Sequence, residues 1–293
     1  MHHHPDALSV VRALAPNEPV ILHRPAAARR AARFFVEKFP GRSLYAVKAN
    51  PSPALLQVLW DAGVTHYDTA SLTEVRLVRD VLGDAAVLCF MHPVKPLAAI
   101  AEAYHRHGVR TFSLDSAEEL EKIVEATRAA DGSVAQDLSL CVRLRVSSEY
   151  SELSLASKFG VDLADAAPLL QATRQVADSL GVCFHVGSQA MTPFAYVQAM
   201  ERVRAAIVDA SVTVDIIDVG GGFPSIYPGM EPPPLEDYFA AIHRAFESLP
   251  VSYSSELWCE PGRALAAEYN SLVVQVEKRR GSELYINEGA YGA

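Results

Sequence analysis

The sequence predicts an α/β fold, a closed (β/α)8 barrel, and three observations carry that prediction. Eight short apolar runs recur down the chain, at residues 44–48, 65–68, 87–91, 111–115, 140–145, 182–186, 215–219 and 256–260. Helix-like segments separate them, at spacings of about 20 to 40 residues, the signature of a parallel sheet whose strands are buried on both faces. A polar residue stands at or just beyond the end of each run. Eight such units in roughly 250 residues suit a barrel; a doubly wound open sheet is the alternative arrangement of the same elements.

The elements follow in order. Ser43-Leu44-Tyr45-Ala46-Val47-Lys48 is apolar up to its lysine, and Ala49-Asn50-Pro51 closes it at once. A lysine at the end of a buried strand is costly unless its amine is paired, deprotonated or covalently engaged. The plain account is a side chain snorkelling to the surface. The second to fourth runs end at Asp68, His92 and Asp115. After the fourth, Ala117-Glu118-Glu119-Leu120-Glu121-Lys122-Ile123-Val124 has apolar residues at helical spacing, with Asp115 or Ser116 placed to cap it. The fifth run carries Arg143, the sixth His185, the seventh leads into the glycines from Gly220, and the eighth ends at Glu260. In a barrel these ends converge on one mouth, where active sites are built. Lys48 and Glu260 then face one cavity from opposite ends of the sequence.

Composition narrows the function classes. Half of the 293 residues are hydrophobic, 21% are charged and the formal net charge is -9. An acidic balance argues against nucleic acid or an anionic membrane as the main partner. No apolar stretch approaches the roughly 18 residues of a membrane span. Met1-His2-His3-His4-Pro5 shows no charged segment leading into an apolar core, so no secretory signal is expected. Cys89, Cys141, Cys183 and Cys259 each fall inside a predicted strand, a pattern that suits buried thiols in a reducing cytoplasm.

Three stretches carry the chemistry. Asp218-Val219-Gly220-Gly221-Gly222-Phe223-Pro224 offers consecutive backbone N–H groups suited to a phosphate, where a tight turn is the plainer account. Cys259-Glu260-Pro261-Gly262-Arg263 adds a carboxylate, another glycine N–H and a guanidinium. His185-Val186-Gly187-Ser188-Gln189 adds a flat ring and a hydroxyl. With Lys48 these form a kit for pyridoxal 5′-phosphate. Lysine forms an imine, its amine freed by desolvation, glycine amides, hydroxyl and arginine hold the phosphate, and a carboxylate protonates the pyridine nitrogen.

Tyr45-Ala46-Val47-Lys48-Ala49-Asn50, His185-Val186-Gly187-Ser188-Gln189, Asp218-Val219-Gly220-Gly221-Gly222-Phe223-Pro224 and Glu260-Pro261-Gly262-Arg263 resemble, in order and spacing, the motif set of the fold-type III amino-acid decarboxylases. These are the ornithine, lysine, diaminopimelate and biosynthetic arginine decarboxylases, whose barrel is of the alanine racemase type. Tyr67-Asp68-Thr69-Ala70-Ser71, Phe90-Met91-His92-Pro93-Val94-Lys95 and Ser157-Lys158-Phe159-Gly160 resemble the ornithine branch most closely. The resemblance implies a Schiff-base role for Lys48, a ring-nitrogen partner in Glu260 and a ring-stacking histidine in His185. It implies phosphate contacts from Ser188, Gly221, Gly222, Gly262 and Arg263, and a lining role for Asp68 and Arg143. The implied activity is decarboxylation of a basic L-amino acid, ornithine to putrescine first, with lysine or diaminopimelate as alternatives, by a cytoplasmic homodimer with active sites at its interface. No metal is implied.

The resemblance also implies three parts: residues 1–24 with a strand belonging to a β-domain, a barrel over 25–265, and the beginning of that β-domain over 266–293. Residues 271–276 and 284–287 read as strands. In the family about one hundred further residues carry a catalytic cysteine, the acidic residues that read the distal amine and a phosphate-binding tyrosine. The sequence therefore reads as a fragment or as part of a longer chain. Two readings of another class compete: a non-catalytic cofactor-binding barrel, and a regulatory relative resembling the antizyme inhibitors.

Overall fold

A computed structural model describes residues 3–153 and 158–289. Eight strands close into a barrel: β1 (Arg42–Ala46), β2 (His66–Thr69), β3 (Val87–Phe90), β4 (Thr111–Leu114), β5 (Ser139–Arg143), β6 (Ser179–Cys183), β7 (Ile216–Asp218) and β8 (Glu256–Cys259). They follow chain order around the ring, and β8 pairs back onto β1 through Trp258–Arg42 and Cys259–Ser43. Every pairing in the ring is parallel, so all eight C-terminal ends open at one mouth. The open sheet is thereby excluded.

Helices such as Pro53–Asp61, Leu72–Leu82 and Phe194–Ala210 cover the outside and bury their apolar faces on the strands. Ser116 is the cap at helix Ala117–Ala126, accepting from the Glu119 N–H at 3.3 Å. Asp115 instead accepts from the Gly160 N–H at 2.8 Å and so fixes the loop after β5. A second, smaller core fills the barrel itself. Leu44, Met91, Ile216 and Trp258 meet Cys89, Cys141 and Cys183 there, and all four cysteines are buried free thiols. Below this layer Arg42 spans the floor, 2.7 Å from His66 Nε2 and 3.0 Å from Glu256. Burial and the neighbouring guanidinium depress the His66 pKa to about 4, so the ring is neutral.

The strand ends differ from the sequence expectations by one to three residues. Lys48 lies past β1 in a short 3-10 turn, Val47–Ala49, and His185 lies two residues past β6. The expected strand over 271–276 divides into Asn270–Val273, which pairs antiparallel with Val20–His23, and Val276–Arg280, which forms a hairpin with Glu283–Ile286. Ser157 of the quoted motifs and residues 290–293 of the expected β-domain segment lie outside the described residues. Among the described residues no helix is long and apolar enough to cross a membrane.

Candidate active site

The mouth is assembled from loops that each leave a strand within a residue or two. The 3-10 turn after β1 lifts Lys48 over the barrel axis, where its side chain is half exposed and its Nζ sits 3.5 Å from Asp68 Oδ2. Asp68, on β2, is buried, and neither carboxylate oxygen has a hydrogen-bond partner. Asp68 is the main reason that the Lys48 pKa is raised; Glu260 adds to this, while desolvation and Arg143 oppose it. The sequence reading expected desolvation to dominate and to free the amine. The buried carboxylate outweighs it, and Lys48 is held as an ammonium ion.

Glu260 begins the loop after β8, its N–H bonded to the Gly220 carbonyl at 2.8 Å. That turn is held in place by Asp218 Oδ1, which accepts from the Gly220 N–H at 2.8 Å. Gly220 has φ +67°, and a Cβ there would collide with the Phe184 carbonyl. Asp218 and Glu260 lie within hydrogen-bonding reach of each other, and both are buried. Burial lifts both carboxyls, Asp218 to about 6 and Glu260 well above the ordinary range, with mutual repulsion adding to the shift of Glu260. Both shifts favour the protonated carboxyl.

His185 packs against Gly221, where a Cβ would come within 3.0 Å of its Nε2. Its Nδ1 accepts from the Gly187 N–H at 3.0 Å, which assigns the proton to Nε2. Burial, then Lys48 and Arg143, drive its pKa well down, so the ring is neutral. Beside it Arg263 donates through Nη2 to Ser188 Oγ at 3.0 Å. Gly222, at φ +102°, passes against the Gly187 carbonyl where no side chain fits, and Gly262 packs against Ala46 and Ala49. Lys48, His185, Ser188, Gly222, Glu260 and Arg263 line one cavity of about 330 Å³. Gly221 and Gly262 complete its wall.

Two candidates stand apart from that cavity. Asp68 lies beneath Lys48, and Arg143 lies across the mouth with its guanidinium 5.5 Å from the centre of the Phe159 ring. Their charge still reaches the site: Arg143 lowers and Asp68 raises the Glu260 pKa. His92 is further out, its Nδ1 accepting from the Val94 N–H and its ring edge-on to Phe159. Sequence reasoning quoted Asp218 only as part of the glycine stretch. Its signal was its place at a strand end, shared with the residues that were singled out.

Residues 26–267 match the family model described as pyridoxal-dependent decarboxylase, pyridoxal binding domain. The chain belongs to this family. It is 30% identical over 256 residues to a lysine/ornithine decarboxylase of Selenomonas ruminantium, covering 85% of this chain and 62% of that protein. It is 29% identical over 275 residues to antizyme inhibitor 2 of Xenopus laevis, covering 86% of this chain and 57% of the relative. The chain thus spans less than two thirds of the length of these relatives. The Vibrio vulnificus lysine/ornithine decarboxylase complexed with putrescine superimposes with a TM-score of 0.78 at 27% identity, covering 96% of this chain and 75% of that one. A structure of SrLDC in complex with PLP and cadaverine gives 0.79 at 27% identity, with 98% and 72% covered.

The cofactor of this decarboxylase family is pyridoxal 5′-phosphate, and the site fits it on its own observations. An amine, a flat neutral ring and a proton-holding carboxyl face one cavity. A glycine-walled cradle with a guanidinium lies at its end, its Gly222 backbone packed so close to the Gly187 carbonyl that no Cβ fits. Asp68 keeps two buried acceptor oxygens beside the amine.

Proposed function

We propose that the barrel holds pyridoxal 5′-phosphate through Lys48 and that the whole protein decarboxylates a basic L-amino acid, ornithine being the leading substrate. One observation carries the reading: Lys48, over the unsatisfied Asp68, shares a cavity with Glu260, His185 and the glycine, serine and arginine cradle. When bound, the cofactor supplies a conjugated ring that accepts the electron pair of the broken Cα–carboxylate bond.

The residues divide the remaining work. Lys48 would be the attachment point for the aldehyde end, with the Asp68 carboxylate beneath it holding and orienting the amine. Glu260 would face the ring nitrogen and keep it protonated, with Asp218 buried beside it. His185, neutral and fixed by the Gly187 N–H, stacks on the ring without adding charge. Ser188, Gly221, Gly222, Gly262 and Arg263 receive the phosphate. Arg143 balances the acidic floor of the mouth.

The putrescine-bound neighbour supports ornithine and the cadaverine-bound one lysine, and the lysine/ornithine relative fits both; ornithine leads on the motifs at residues 67–71, 90–95 and 157–160, with diaminopimelate a further alternative. A regulatory barrel is the second reading, supported by the likeness to antizyme inhibitor 2. Carbon dioxide release from carboxyl-labelled ornithine, lysine and diaminopimelate, measured on the full-length protein beside Lys48→Ala, separates these. Release from ornithine that disappears in Lys48→Ala supports the proposal. No release from any of the three by cofactor-loaded protein would leave the regulatory reading. Light scattering of the same sample tests the proposed homodimer.

A further inference from the structure

Tyr227 shares the cavity with the phosphate cradle, and nothing in the motif set accounts for it. It lies in the proline-rich loop that follows Phe223-Pro224, yet its placement is built. Gln189, next to Ser188, clamps the root of that loop: its Nε2 donates to the Ser225 carbonyl at 2.6 Å and its Oε1 accepts from the Ser225 N–H at 3.0 Å. Gln189 is buried and adopts φ +59°, a conformation costly for a residue with a side chain and held here by the two bonds. The loop then turns at Pro228-Gly229, with Gly229 at φ +82° and the Met230 N–H donating to the Tyr227 carbonyl at 2.9 Å. Ile226 is left 80% exposed, while the Tyr227 ring folds back to 5.8 Å from the Arg263 guanidinium.

The hydrogen bonds define the consequence. Arg263 spans two hydroxyls, donating through Nη2 to Ser188 Oγ and through Nη1 to Tyr227 Oη, each at 3.0 Å. A hydroxyl that accepts from a guanidinium keeps its own O–H free to donate. Ser188 and Tyr227 therefore present two O–H donors on either side of the cation, at the end of the cavity walled by Gly222 and Gly262. An anion with several acceptor oxygens fits between them; an aldehyde or a ring nitrogen does not need them.

We propose that Tyr227 is a phosphate-binding residue of this barrel, donating its phenolic O–H to the phosphate of pyridoxal 5′-phosphate beside Arg263. The proposal rests on the cofactor reading above. It also gives this chain a tyrosine hydroxyl in its own cradle, a group that the sequence reading placed outside the chain.

The test compares the binding of pyridoxal 5′-phosphate and of pyridoxal, which lacks the phosphate, by fluorescence titration of the apoprotein. Tyr227→Phe keeps the ring over Arg263 and removes only the hydroxyl. A charge-assisted bond of this kind is worth about 10-fold to 100-fold in affinity. Tyr227→Phe should weaken pyridoxal 5′-phosphate by at least about 10-fold and leave pyridoxal unchanged. In the Arg263→Ala background it should still weaken the phosphate form, because the contact is direct. Unchanged phosphate binding, equal weakening of both ligands, or no further loss without Arg263 would each overturn the proposal. If wild-type protein binds no pyridoxal 5′-phosphate, the cofactor reading falls and this proposal with it. If it binds and Tyr227→Phe binds equally, only this proposal falls.

Discussion

At the scale of single residues, the Asp218–Glu260 pair sets the electronics of the site. Both carboxyls are buried and raised above the ordinary range by that burial, with each other's charge adding to the shift of Glu260. Glu260→Gln keeps the shape and the backbone bond to Gly220 but removes the charge that stabilises a protonated ring. The full-length protein carrying it should fold normally and lose about 100-fold to 1000-fold or more in kcat of the proposed decarboxylation; an unchanged kcat would make Glu260 a structural residue. Gly222→Ala addresses the cradle. A Cβ at φ +102° against the Gly187 carbonyl must displace the loop, so cofactor affinity should fall by at least about 10-fold, as equilibrium dialysis would show. The glycine triplet was legible in the sequence as a turn of bare N–H groups beyond a strand. The reason for each glycine was not, because it lies in contacts with Phe184 and Gly187, more than thirty residues earlier.

At the scale of elements, the strand interiors were readable and their ends were not. Runs such as Leu140-Cys141-Val142 are buried on both faces, so continuous apolar character marks them. After β6, Phe184 and Val186 stay buried although the chain has left the sheet, so the apolar run overshoots and His185 reads as a strand residue. The three-residue pair Ser151–Leu153 and Ser188–Ala190 is too short for any period to show. The floor of the barrel was likewise unread, since Arg42, His66 and Glu256 come together only when β8 closes on β1 and β2. That cluster makes a pH prediction. The folded state keeps His66 neutral down to about pH 4, whereas an unfolded histidine takes a proton near 6.5. Its contribution is therefore complete above pH 6.5 and is lost as the pH falls from there through about 4. Urea titrations at pH 7.5 and 4.5 should show wild type losing on the order of 1–2 kcal/mol more than His66→Gln across that window. A parallel response of the two proteins would mean that the ring titrates freely.

At the scale of the whole molecule, the barrel and the segment after it differ in what holds them. The hairpin Val276–Arg280 with Glu283–Ile286 is exposed along both strands, and Leu284, Tyr285 and Ile286 face solvent. A two-stranded ribbon without a buried face has little stability of its own. Brief trypsin treatment of this chain should cut after Lys278, Arg279 or Arg280 and leave the barrel whole by mass spectrometry; cuts appearing first within the barrel would contradict this. Family membership accounts for the barrel and for its cofactor, and the chain spans 62% of the Selenomonas relative's length. The central claim is narrower and can be tested directly on this chain: Lys48 is the residue that holds pyridoxal 5′-phosphate at the mouth. Borohydride reduction of the loaded protein followed by peptide mapping should place the label on Lys48 alone, and the label should be absent from Lys48→Ala. A label on Lys95, Lys158 or any other lysine, or labelling of Lys48→Ala at the wild-type level, would contradict it.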